Sequence, residues 1–120
     1  MYIEVHEAFE LYNQACLAEQ VGKADLAEVY YLKSWALFEQ AGDRYYVNAA
    51  NALNALAHLR QSRGNYEGAF LSVKKSVEII EAHAGVFTSD EAEVIRMRAW
   101  ELVKNLLPYQ EQQQKFSTVF

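Results

Sequence analysis

Glycine spacing is the tightest constraint on how this chain can fold. Gly22, Gly42, Gly64 and Gly85 stand about 21 residues apart, and only one other glycine and a single proline interrupt the 120 residues. A glycine just past a helix readily takes the left-handed conformation that closes the last turn, because it has no Cβ to clash. That role suits QVG at 20–22, EQAG at 39–42 and AHAG at 82–85. Between the glycines lie segments rich in Ala, Leu, Glu and Gln, all good helix formers. Helix starts are marked as well: Asp43 is placed to cap a third helix, and Thr88 with Glu91 makes a T-x-x-E capping box before a fifth. The expected helices cover 3–21, 24–41, 44–62, 66–84 and 89–107, which makes the chain all-α, built of helix, turn and helix in repetition.

Setting the sequence against itself with a shift of 42 pairs Ala8 with Ala50, Leu11 with Leu53, Ala15 with Ala57, Gly22 with Gly64, Ala27 with Ala69, and Ser34 with Ser76. A second shift keeps Ala57 against Ala99 and Leu53 against Ile95, then sets Leu56 against Arg98 and fades, as a terminal unit does. The repeat therefore has about two and a half copies and five helices. Within a copy, Leu53, Leu56 and Ala57 share a helical face, and Ala69, Val73 and Ser76 share the facing one. Small Ala57 and Ala69 let the two backbones approach. A single hairpin of this kind cannot bury both of its apolar faces, so it stacks on the next and leaves a concave side. The helical repeat domain is expected over residues 1–107. Residues 108–120, PYQEQQQKFSTVF, open with Pro108 and are expected to form a loose or weakly helical tail, whose apolar Phe116, Val119 and Phe120 have the chemistry to dock in a groove.

The segment LNALAHLRQSRGNYEGAFLSVKKSVEI resembles the tetratricopeptide repeat (TPR) signature, with Leu53, Leu56, Ala57, Gly64, Tyr66 and Ala69 in register. The first unit, LYNQACLAEQVGKADLAEVYYLKSWALF, matches more loosely: Leu11, Ala15, Gly22 and Ala27 hold the register, while Gln14 and Ala24 depart from it. Ordinary TPR units repeat every ~34 residues. The 42-residue spacing is similar to the longer-helix variant of the kinesin light chain type. The resemblance spans residues 7–107 and implies hairpins stacked into a right-handed superhelix that binds a segment of another protein.

In the TPR arrangement the first helix of each pair lines the concave groove. The resemblance thereby assigns to the groove Phe9, Tyr12 and Cys16 from the first unit, Asn51, Asn54, His58 and Gln61 from the second, and Arg96, Trp100 and Lys104 from the fifth helix. An extended peptide needs hydrogen bonds along its backbone, and Asn and Gln side chains offer both donor and acceptor. Asn54 is the leading candidate for that task. Arg96 and Lys104 suit a carboxylate, while Tyr12 and Trp100 offer flat apolar contact. Chaperone-binding TPR domains clamp a terminal carboxylate with Lys, Arg and Asn residues. Here no lysine stands on the groove face of the first helix, which argues against that clamp.

Other function classes find little support in these residues. A net charge of −5, with basic residues scattered along the chain, repels a nucleic-acid backbone. No apolar run approaches the ~20 residues that cross a bilayer, and the opening MYIEVHEAFE is acidic where a secretory leader is basic and then apolar. A cytoplasmic protein that touches neither membrane nor nucleic acid is expected. Cys16 is the only cysteine, so no disulfide framework exists, and its expected role is packing. His6, His58 and His83 fall on different expected helices without metal-ligand spacing. Phosphate loops, dinucleotide fingerprints and nucleophile elbows are absent from the sequence. Neither a catalytic site, a cofactor nor a metal is therefore expected. The alternative to a peptide-binding scaffold is self-association, since a stack that ends after two and a half units leaves an apolar edge that a homodimer would bury.

Overall fold

The computed structural model describes the backbone of residues 5–85 and 87–119, and the side chains of all of these except 43 and 105–119. The described elements are five α-helices and one 3-10 turn, with no strand among the described residues. They are α1 (Val5–Gln20), α2 (Ala24–Ala41), a 3-10 turn (Asp43–Tyr45), α3 (Tyr46–Ser62), α4 (Tyr66–Ala82) and α5 (Ser89–Val119). Helices α1 and α2 pack as one hairpin and α3 and α4 as another; α2 joins the two through α3, and α5 lies across α3 and α4.

The 42-residue repeat of the sequence is also a repeat of geometry. After α1, Gly22 takes φ +81° while Lys23 N donates to Ala18 O at 2.8 Å and Gly22 N to Glu19 O at 3.2 Å. After α3, Gly64 takes φ +81° while Asn65 N donates to Arg60 O at 2.8 Å and Gly64 N to Gln61 O at 3.0 Å. Both are the two-bond closure that a left-handed glycine allows. Inside each hairpin a buried serine ties its helix to the opposite backbone: Ser34 Oγ donates to Ala8 O at 2.8 Å, and Ser76 Oγ donates to Ala50 O at 3.3 Å. These serines and their acceptors are the pairs matched by the sequence shift.

Three of the expected boundary signals need correction. Gly85 does not take positive φ; α4 stops at Ala82 and is followed by His83 in an ordinary conformation, so Gly85 belongs to the link and not to the helix end. Asp43 does not cap α3, because it opens the 3-10 turn and Tyr45 is the residue before the helix. Pro108 does not end α5, whose backbone stays helical through Val119. The side chains of the tail, including Phe116 and Val119, and the whole of Phe120 lie outside the described residues. In contrast, the Thr88–Glu91 capping box forms in both directions, each bond 3.1 Å long. A cap not foreseen, Asn65, accepts from Gly68 N at 3.1 Å and starts α4.

The core follows the seams between helices. Ala8, Phe38, Leu53, Ile80, Phe87 and Ile95 meet where both hairpins and α5 converge. Ala15, Ala27, Tyr31, Leu56 and Leu59 join α1, α2 and α3. Ala57, Ala69, Val73, Ala99 and Leu102 join α3, α4 and α5. Ala57 and Ala69 have no exposed surface, as the close crossing between their helices requires. At the end of α3, Arg60 locks three helices together, donating to Glu28 at 3.1 Å, Ser72 Oγ at 2.9 Å and Gly68 O at 3.2 Å. Arg63 pairs with Asp25 across the same seam.

Candidate functional site

Helix α3 is covered by α4, α2 and α5, and its remaining open strip carries Asn51, Ala55, His58 and Ser62 at helical spacing. Residues of α1 and α5 adjoin this strip. Arg98 of α5 donates from Nη1 to Asn51 Oδ1 at 3.3 Å. Burial first, then Cys16, push the phenol of Tyr12 on α1 up, against an opposing pull from Arg98 and with a further push from Glu19. The face thus runs from α1 over α3 to α5.

At the α1 end of this face lies an open pocket of about 330 Å³ lined by Cys16, Glu19, Gln20 and Tyr31. Tyr31 comes from α2, and its ring packs edge-on against Tyr12 with centroids 5.6 Å apart. Its hydroxyl donates to Glu19 Oε1 at 2.9 Å and lies 3.5 Å from Cys16 Sγ. Burial, then the hydrogen bonds with Cys16 and Glu19, hold the Tyr31 phenol far above its ordinary value. It therefore stays a protonated donor, fixing the Glu19 carboxylate at the pocket rim. The arrangement offers an incoming chain aromatic surface, one carboxylate and one guanidinium within a few turns of helix.

Of the residues assigned to a groove from the sequence, the structure brings Tyr12, Asn51 and His58 to this open face and Cys16 to the pocket at its end, whereas Phe9 packs edge-on against Phe38 and Tyr45. Asn54 is not on it. It is 5% exposed, with Nδ2 donating to Ile95 O of α5 at 3.4 Å and Oδ1 buried without a partner among the described residues. The reason is α5, which lies on the flank of α3 where Asn54 points and covers it. Gln61, seven residues further on, stands on the same flank, half-buried. Arg96 and Trp100 are also misplaced by the sequence reading. Each is two positions from Arg98, hence about 160° round the helix from it. Both are exposed, on the other side of α5, and Lys104 points away as well.

Sequence reasoning missed Arg98, Glu19 and Tyr31. A signal existed for two of them. Arg98 stands where the preceding copy has Leu56, and Tyr31 stands where the next copy has Val73. A polar group at a position that a sister repeat fills with an apolar one marks a departure from pure packing. Glu19, matched to Gln61, gave no such contrast.

Among the described residues no group of three His, Cys, Asp or Glu side chains is arranged to hold a metal ion, and no helix is long and apolar enough to cross a membrane. No protein-family model matches the sequence, and no curated protein matches it.

Proposed function

We propose that this chain is a TPR-like scaffold or adaptor module that holds a peptide or helix of a partner protein against the face formed by α1, α3 and α5, and that it has no active site of its own. The observation that carries the reading is the continuity of that face: Arg98 reaches from α5 to Asn51 of α3, and Ala15 and Ala18 of α1 share a buried cluster with Leu56 and Leu59 of α3. Three helices far apart in sequence thus present one set of polar and aromatic groups, backed by a closed core. The 42-residue repeat and the paired hairpin geometry support the same reading, because stacked helical hairpins hold such a face rigid. A rigid platform lowers the ordering cost of binding, so a modest set of contacts suffices. Asn51 offers its amide to a peptide backbone, His58 extends the strip by two turns, and Arg98 supplies guanidinium donors for a carbonyl or carboxylate. The cytoplasm is the compartment in which we place this module.

A random peptide library displayed on phage and panned on the immobilised chain tests the proposal. Enriched peptides are expected to bind wild type and to lose about ten- to hundredfold in affinity on Arg98→Ala, the loss that follows from removing a hydrogen bond to a charged group. Tyr12→Ala should weaken the same peptides, whereas Glu67→Ala, on the exposed start of α4, should leave them unchanged. Failure to enrich any peptide, or peptides indifferent to both Arg98 and Tyr12, would overturn the assignment.

A further inference from the structure

Helix α5 buries Ala92, Ile95, Ala99 and Leu102 against the two hairpins. Roughly opposite this face run Glu93, Met97, Trp100 and Lys104, all exposed, with Met97 at 60% and Trp100 at 63%. Large apolar side chains left open side by side, with charges at both ends, mark an association surface more often than an idle one. Their spacing of four, three and four residues is that of a seam between two packed helices. Neither Glu93 nor Lys104 forms an ion pair with a described residue. Helix α5 runs on past this seam as far as Val119. At 31 residues it is about 46 Å long, nearly twice the length of α3 or α4 at 17 residues each.

The order of the four residues selects the occupant. Met97 and Trp100 lie equally far from the midpoint between residues 98 and 99, and so do Glu93 and Lys104. When a second α5 is laid antiparallel about that point, Glu93 meets Lys104 of the other copy, and Met97 meets Trp100, each contact made twice by the two-fold axis. A parallel pair would instead set glutamate on glutamate and lysine on lysine. The seam is therefore complementary to itself in one orientation only.

We propose that a second copy of this chain docks on the outer face of α5, with the two α5 helices antiparallel and the two-fold axis between Met97 and Trp100. The Trp100 ring and the Met97 thioether bury the apolar centre, a pairing favoured by sulfur–aromatic contact. The flanking ion pairs are exposed and add little strength; they fix the orientation. Because Arg98 points away from this seam, dimerisation leaves the face formed by α1, α3 and α5 open, so the dimer presents two such faces. This inference stands whether or not a peptide occupies them.

Size-exclusion chromatography with light scattering on the full chain tests the proposal. The expected mass is twice the 13.8 kDa of one chain, shifting to the monomer on dilution. Trp100→Ala should return the monomer, and Glu93→Lys or Lys104→Glu, each setting two like-charge pairs across the axis, should weaken the dimer severalfold, with circular dichroism confirming an intact helical fold. The combined Glu93→Lys and Lys104→Glu variant should dimerise like wild type. A monomer at every concentration overturns the proposal, as does a dimer unmoved by Trp100→Ala. Single charge reversals that weaken the dimer without rescue in the double variant also overturn it, because the antiparallel register demands that rescue.

Discussion

The two hairpins share a turn, a glycine conformation and a serine-to-carbonyl hydrogen bond, yet they are buried very differently. Helix α1 buries three residues, Ala8, Ala15 and Ala18, whereas its counterpart α3 buries eight. The sequences at matched positions do not explain this: Leu11 and Leu53 are the same residue at the same point of the repeat, and Leu53 is 3% exposed while Leu11 remains half-buried. What differs is the number of neighbours. Helix α3 has hairpin one on one flank and α5 on the other, while α1 stands at the edge of the stack. A repeat pattern therefore specifies the fold of each unit, and position in the stack specifies which of its residues are inside.

The largest test of that distinction uses the leucine pair itself. Leu53→Ala removes a side chain from the cluster where both hairpins and α5 meet, and should cost about 2–5 kcal/mol in transfer and cavity terms. Leu11→Ala removes the same atoms from an edge that solvent already reaches, and should cost about 1–2 kcal/mol. Urea melts of the two variants measure both. Equal losses would mean that the two ends of the stack are equally covered, and the contrast between the hairpins would fail.

How much of this was legible in the sequence follows the same division. Features set within one unit could be read: the 42-residue shift, the glycine turn at 22, the close crossing of Ala57 and Ala69, and the Thr88–Glu91 box all depend on residues near one another in chain or repeat. Features set between units could not. Asn54 occupies a position whose surroundings depend on where α5 lies, and no local pattern encodes that placement. Two failures have local causes. Asp43 does not cap α3, because a 3-10 turn intervenes after Gly42 and moves the helix start to Tyr46. Gly85 sits beyond the end of α4 because that helix stops at Ala82, leaving the glycine in the connection. Pro108 shows a limit of the breaker rule: a proline forfeits one backbone donor, and a helix survives that loss at a cost.

A test of intermediate size concerns Tyr31, which marks the edge hairpin off from its sister, since the matched residue in the second hairpin is the apolar Val73. Tyr31→Phe keeps the ring and removes the donor to Glu19, a hydrogen bond to a carboxylate worth about 1.5 kcal/mol at this partly covered site. The phenol is held above its unfolded value of 10.0. A raised folded-state value means that this contribution is fully present below pH 10 and is lost as pH climbs toward the folded value. The gap between wild type and Tyr31→Phe in urea melts should accordingly be constant from pH 6 to 9 and shrink above about pH 10. A gap that does not change with pH would detach Tyr31 from the ionisable cluster with Glu19 and Cys16.

The smallest expected effect is also the one that separates unit from stack most directly. Asn54 and Asn51 lie three residues apart on α3, and nothing in their chemistry distinguishes them. Position does: α5 covers Asn54, while Asn51 stays on the open strip beside Arg98. At Asn54 the alanine substitution removes a long hydrogen bond to Ile95 O and leaves a small void, both destabilising. It also removes the buried Oδ1 that has no partner among the described residues, and introduces the better helix former, which offset part of that loss. The net cost should be about 0.5–1.5 kcal/mol. At Asn51 only an exposed contact to Arg98 is lost, so stability should stay within about 0.5 kcal/mol of wild type. The order inverts for hydrogen exchange in α5: Asn54→Ala should loosen protection around Ile95, because the bond it breaks is one of the ties between α5 and α3, and Asn51→Ala should leave the same amides as they were. If both variants melt alike and exchange alike, α5 does not hold the flank of α3 in solution, and the central hairpin is as open as its neighbour.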